Sequence, residues 1–188
     1  MSAVISDNRN AISQTALDME CEWVLYLDDD HHLPGDTLMR LLAHDVDVIS
    51  AHYTQRQPPF NPVLMAKELE GGSYIQKQLS PTEHGLIQVE AAGAGCLLVK
   101  TEVLKALEQP FWRLGQIHPA HWGDDLDFCS RVRKLGFKVY CDLDVQIGHY
   151  MTGTVTPQWD ETNGWMAAYR KNIMQAPIAQ WQMPLAGD

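Results

Sequence analysis

Two hydrophobic periods interleave along the chain, one near the helical repeat and one of two residues, and the elements they predict alternate. Asn8 to Met19, NRNAISQTALDM, places Ile12, Thr15, Ala16 and Met19 on one helical face. Glu22 to Leu27 is a short apolar run of strand formers bounded by charge. Pro34 opens a second helix, PGDTLMRLLAHD, because proline's fixed φ suits a first turn. Val46 to Ala51 reads as a strand, and Tyr53 to Pro62, with three prolines and no helical period, as a loop or extended arm. Val63 to Lys67 and Ser73 to Gln78 read as short strands joined at Gly71-Gly72. LIQVEAAGAGCLLVK holds two strand-like runs split by Gly93 and Gly95, and Thr101 caps the helix TEVLKALEQ. Pro110 to Gly123 form an aromatic, His-containing loop. Asp124 to Leu135 has helical spacing through Leu126, Cys129 and Val132, with Gly136 as its stop. FKVYCD and DVQIGH are two further strands, and beyond Asn172 the period weakens into a C-terminal tail over 175–188. This alternation predicts α/β architecture, with one domain over 1–174.

Composition narrows the classes. With 188 residues, 45% apolar and 20% charged, the chain suits a single globular core. Its net charge of −10, from 14 Lys plus Arg against 24 Asp plus Glu, repels nucleic acid and anionic membrane. No apolar run approaches the roughly 20 residues that span a bilayer. Cys21, Cys96, Cys129 and Cys141 form no CxxC pair, so they read as reduced core thiols. MSAVISDNRN lacks the layout of a secretory signal, and a cytoplasmic location is expected.

Two acidic clusters carry the candidate chemistry. In Asp28-Asp29-Asp30, followed by His31-His32, alternate residues of an extended segment point one way, so Asp28 and Asp30 can converge while Asp29 faces elsewhere. A strand of an open α/β sheet delivers its C-terminal end to the ligand crevice, and hard carboxylates there suit Mg²⁺ or Mn²⁺. Such a cation would reconcile an acidic protein with a phosphate-bearing ligand; the other reading is a polar strand end capping the helix at Pro34. The second cluster, Asp124, Asp125 and Asp127, lies in a helix's first turn, where the helix dipole alone would favour it. His118, His121 and Trp122 feed into it like the rim of a pocket, and a carboxylate there could take a proton from a hydroxyl. His149 follows a strand and reads either as a structural His or as one converging on the first cluster.

In chain order over residues 7 to 150, DNRNAISQTALD, EWVLYLDDDHHLP, AGAGCLLVKTEVLKAL and WGDDLDFCSRVRKLGFKVYCDLDVQIGH resemble the GT-A-fold glycosyltransferases, especially the family 2-like enzymes. The resemblance implies a GT-A-like (Rossmann-like) mixed sheet flanked by helices. It implies metal-dependent, inverting transfer of a sugar from a UDP- or GDP-linked donor to a carbohydrate or other hydroxyl acceptor. Asp30 would ligate Mn²⁺ or Mg²⁺, Asp28 would meet the ribose or a metal-bound water, and His149 matches a further ligand. Asp125 matches the general base, with Asp124 standing where the family more often has Glu. Trp122, Gly93 and Gly95 would border sugar and acceptor; Arg9 would reach the nucleotide or brace the DxD loop; Asp29 and Asp127 join the substrate-binding set. A nearby cation is expected to hold the Asp125 pKa low.

Against the family, the chain opens at the last piece of an N-terminal strand–helix–strand unit, with AVIS preceding the Arg-Asn helix. The nucleotide half is therefore expected to be partial, a partner could supply the missing strands, and weak or absent activity is expected of the isolated chain. Two other readings compete. One is a non-catalytic GT-A-like module binding a sugar or partner. The other is a metal-dependent nucleotidyltransferase or phosphohydrolase, which would want a basic residue near the phosphates.

Overall fold

The computed structural model describes residues 2–56, 59–70, 73–113, 123–150, 153–162 and 164–171. Helix α1 (Ser2–Asp18) leads to β1 (Trp23–Leu27), the two-residue β2 (His31–His32), α2 (Thr37–Leu42) and β3 (Val48–His52). Then come β4 (Leu64–Glu68), β5 (Tyr74–Gln76), β6 (Leu86–Val89), β7 (Ala91–Ala92), β8 (Cys96–Lys100) and α3 (Thr101–Ala106). Helix α4 (Asp124–Lys134), β9 (Val139–Gln146), β10 (Gly148–Tyr150), β11 (Gly153–Asp160) and β12 (Gly164–Lys171) complete the order. Trp122 and the 175–188 tail lie outside the described residues.

The main sheet is mixed, in the order β1-β8-β3-β9-β6. Only the β3–β9 pair in it is parallel; β1, β8 and β6 each pair antiparallel. Alternation along its strands feeds two apolar clusters. One holds Val24, Tyr26, Val48, Trp112, Phe128 and Val139, and the other holds Leu41, Ile49, Ala51, Tyr53 and Ile147. Trp112 stacks on Phe128 with centroids 4.1 Å apart, which fixes that indole against α4. Gly136 adopts φ +93° just past α4, the left-handed turn that ends the helix as its sequence position predicts.

Two small sheets flank the large one, β12-β11-β10-β2 and β5-β4-β7. The first governs the site. In it, β2 pairs antiparallel with β10, and His149 lies opposite His31.

Several expectations are corrected. Helix α1 begins at Ser2 rather than Asn8, so AVIS is helical and not the end of a strand. Its buried face is Ser6, Arg9, Ser13 and Ala16, whereas Ile12 and Met19 are 47% and 70% exposed. Hydrophobic periodicity misassigned the face because α1 packs through polar contacts. The Ser13 hydroxyl lies 2.6 Å from Tyr26 Oη and accepts a hydrogen bond from Trp112 Nε1 at 3.1 Å. Thr101 does not cap α3; it is the first helical residue, and its hydroxyl donates to the Cys21 carbonyl at 2.6 Å. FKVYCD and the start of DVQIGH form one strand, β9. The Asp142 carboxylate stays in it because it accepts from the Asp144 amide at 2.9 Å and meets His44 Nε2 at 2.8 Å. The β11–β12 hairpin lies in a stretch where the sequence pattern predicted no element.

Candidate functional site

Strand β1 ends at Leu27, and the Asp28 amide donates to the Gly95 carbonyl at 3.0 Å, so the acidic segment leaves the sheet beside the Gly93–Gly95 crossing. The Asp30 carbonyl then accepts from the Tyr150 amide at 2.7 Å, which closes the β2–β10 pairing around the carboxylate.

The result is a three-residue group, Asp30, His31 and His149, whose ligand-capable atoms all lie within 4.8 Å of one another. His149 Nε2 sits 3.4 Å from Asp30 Oδ2, and His31 Nδ1 sits 3.3 Å from Asp30 Oδ1. The two rings stack with centroids 4.4 Å apart and an 18° tilt. His149 Nδ1 lies 2.9 Å from the Thr54 carbonyl, an acceptor only. That contact assigns a proton to Nδ1 and turns Nε2 toward Asp30, the orienting pattern found behind metal-ligating imidazoles. The His31 side chain is 1% exposed, and neither ring nitrogen has a hydrogen-bond partner among the described residues. Burial first, then the neighbouring His149, pushes its pKa down to about 4, so the ring is neutral near pH 7. A carboxylate with two imidazoles, one of them buried with no hydrogen-bond partner among the described residues, is a donor set that fits a divalent ion. Asp30 also receives Arg56 Nη1 at 2.7 Å, a cation at the mouth of the group.

Asp28 belongs elsewhere. Its Oδ1 accepts from Arg9 Nη2 at 2.8 Å, while Arg9 Nη1 donates to Asp124 Oδ1 at 2.7 Å. Ser6 Oγ donates to Asp124 Oδ2 at 3.0 Å, so both Asp124 oxygens are engaged. The Arg9 guanidinium lies 5.2 Å from the Trp112 ring centroid. Burial alone would lower its pKa, but Asp124 and Asp28 outweigh that and raise it, so it is a fixed cation. Asp29 is exposed and is not one of the three grouped residues.

Asp125 stands next to this paired carboxylate without sharing its arginine contact. Its Oδ1 accepts from the Leu126 amide at 2.8 Å. Desolvation, then the Asp124 charge, raises its pKa to about 6, and Arg9 only partly offsets them. The expected low pKa is thereby corrected: the cation is bound to Asp124, and Asp125 is left near neutrality, where a general base works best. Asp127 is not brought to the group. It is 6% exposed and paired with Arg131 Nε at 2.7 Å and Arg113 Nε at 3.0 Å, tying Arg113 to α4.

Gly93 and Gly95 are small because rings occupy their side-chain space. A Cβ on Gly95 would stand 2.5 Å from His31 Cε1, and one on Gly93 would stand 2.1 Å from Tyr53 Oη. The Gly95 amide donates to Tyr53 Oη at 3.0 Å. His31, Tyr53, Arg56 and Thr54 are thus part of the site although the sequence reading assigned them nothing. Of the four, only His31 carried a signal, its place directly after the acidic run.

No protein-family model and no curated protein matches the chain. Among solved structures, the crystal structure of A197 from STIV is similar, with a TM-score of 0.58 at 16% identity, covering 94% of this chain and 80% of that one. At that identity the likeness shows a shared fold: a mixed α/β sheet flanked by helices.

Proposed function

We propose that the protein is a GT-A-like glycosyltransferase, metal-dependent and inverting, that moves a sugar from a nucleoside diphosphate donor to an acceptor hydroxyl. The observation that carries this reading is Arg9. One guanidinium binds Asp28, two residues from Asp30, and Asp124, the neighbour of Asp125. The cation-binding end and the proton-accepting end of the site thereby flank a single buried charge.

The residues divide the work. Asp30, His31 and His149 would hold Mn²⁺ or Mg²⁺, which when bound offsets negative charge on the departing diphosphate. Arg56, 54% exposed beside Asp30, can pivot toward phosphate oxygens and adds a second positive charge. Asp125, with its pKa near 6, is mostly ionised at pH 7 and takes the proton of the attacking hydroxyl. Arg9 and Ser6 occupy both Asp124 oxygens, so Asp125 rather than Asp124 is the base. The geometry favours a transferase over a two-metal phosphohydrolase, because one such ligand group occurs among the described residues. A cytoplasmic location is part of the proposal; no described helix is long and apolar enough to cross a membrane.

The test is a panel of UDP- and GDP-sugars with Mn²⁺, scored for released diphosphate in the presence of mixed glycoside acceptors. Metal-dependent release that disappears in Asp125→Asn supports the assignment. Release unchanged in that variant removes Asp125 as the base, and donor binding that survives Asp30→Ala without turnover points to the non-catalytic module.

A further inference from the structure

The main sheet ends at β1, and the hydrogen bonds at the two ends of that strand fix which backbone groups look outward. The Thr101 amide donates to the Glu22 carbonyl and the Asp28 amide to the Gly95 carbonyl, both at 3.0 Å. In the antiparallel register with β8, Val24 and Tyr26 therefore bond to β8 as well. The N–H and C=O groups of Trp23, Leu25 and Leu27 point away from it. None of these outward groups has a partner among the described residues. We propose that this edge takes an extended, Lys- or Arg-flanked strand of a protein partner, which lengthens the sheet. The proposal does not rest on the transferase reading.

Three observations carry it. First, the five residues of β1, WVLYL, include no Lys or Pro, and the strand pairs with β8 without a bulge. Proteins blunt open edges with such devices, so a regular apolar edge left uncovered is suited to main-chain pairing with another strand. Second, α1 lies on β1 through the Ser13–Tyr26 contact and carries an exposed stripe, Ile5, Ile12 and Met19, at a spacing of two helical turns. On the other flank of α1, Asn10 and Gln14 are bound to Trp112 and Gln109, which follow α3. Since α3 leaves β8, the strand on the inner side of β1, the apolar stripe lies on the outer side, where an added strand would bury it. Third, the charge around the edge has one sign. Between Ser2 and Asp30 the sole basic residue is Arg9, which is buried, against Asp7, Asp18, Glu20, Glu22 and the Asp28–Asp30 run. Exposed Glu20 and Glu22 stand at one end of β1 and exposed Asp29 at the other, so a partner strand with basic ends is complementary. A second copy is not. Antiparallel self-pairing centred on Leu25 would set Glu22 against Asp28 and Glu20 against Asp30 at both ends, and like charges placed opposite repel.

The experiment adds the peptide Lys-Lys-Val-Thr-Val-Thr-Val-Lys-Lys to the full isotope-labelled chain and follows backbone amides by NMR. Exchange at Trp23, Leu25 and Leu27 should slow at least tenfold, with Val24 and Tyr26 unaffected because β8 already protects them. The same peptide with glutamates in place of its lysines should bind at least tenfold more weakly. Glu20→Lys combined with Glu22→Lys should weaken binding of the lysine peptide at least tenfold. Both positions are exposed, and the thermal midpoint checks that the fold is kept. His149→Ala should leave peptide binding unchanged, so failure of this surface and failure of the transferase reading are read separately. No slowing at the three outward amides with millimolar peptide, equal binding of the glutamate peptide, or binding lost in His149→Ala would each overturn the proposal. So would protection of the same amides by self-association of the chain without peptide.

Discussion

His31 and His149, far apart in the chain, face each other across the antiparallel β2–β10 pair with stacked rings 4.4 Å apart. That register sets one imidazole nitrogen against each oxygen of Asp30. The short strand β2 therefore fixes the two rings relative to Asp30 through backbone bonds.

The donor set predicts a metal preference. Nitrogen ligands favour first-row transition ions, Zn²⁺ more than Mn²⁺, over Mg²⁺, which keeps oxygen and water ligands. Calorimetric titration should show Mn²⁺ binding at least tenfold tighter than Mg²⁺, with His31→Ala reducing that ratio. Equal affinities would mean the imidazoles are not ligands.

Arg9 is expected to matter for stability as well as for the site. Arg9→Met strands the largely buried Asp124 and should cost about 3–5 kcal/mol in urea unfolding. Arg9→Met combined with Asp124→Leu should recover most of that loss, because an apolar pair leaves no unpaired charge. A single-variant loss below about 0.5 kcal/mol would show that the pair is solvated in solution.

Asp125 makes a signed pH prediction. Its folded pKa, about 6, lies above the ordinary 3.8, so the native state holds the extra proton between those values. Stability should therefore fall as pH rises through that window, and Asp125→Asn should flatten the slope and raise the midpoint at pH 7. Turnover runs the other way, rising with the ionised base through pH 6. An unfolding slope identical in the variant would place the carboxyl in water.

Gly95→Ala drives a methyl into His31 and should cost about 1–3 kcal/mol by overpacking, with roughly tenfold weaker Mn²⁺ binding. Gly35, with nothing within 4 Å of its Cβ position, is the comparison, and Gly35→Ala should stay within about 0.5 kcal/mol.

Much of this was legible in the sequence where period and punctuation agree. The run Trp23–Leu27, the α4 acids with Gly136 as stop, and the Gly93–Gly95 interruption all appear as expected. The α1 face was not legible, because Ser6, Arg9 and Ser13 are buried by hydrogen bonding and no hydrophobicity pattern signals that. Nor was the ligand set. Asp28 and Asp30 share a strand face on paper, but Arg9 claims Asp28, and the chain turns at Asp30 to pair β2 with β10. His31 is brought to Asp30 and His149 through tertiary pairing across 118 residues of sequence, a relationship that local spacing does not contain.

On the proposed mechanism, Asp30, His31 and His149 hold a divalent ion that anchors a nucleoside diphosphate. Titrating UDP and GDP into the full chain with and without Mn²⁺, for the native sequence and Asp30→Ala, tests it most directly. Nucleotide binding should need Mn²⁺ and be lost in Asp30→Ala; binding of equal strength without metal, or unchanged in that variant, would show that this group does not anchor the diphosphate.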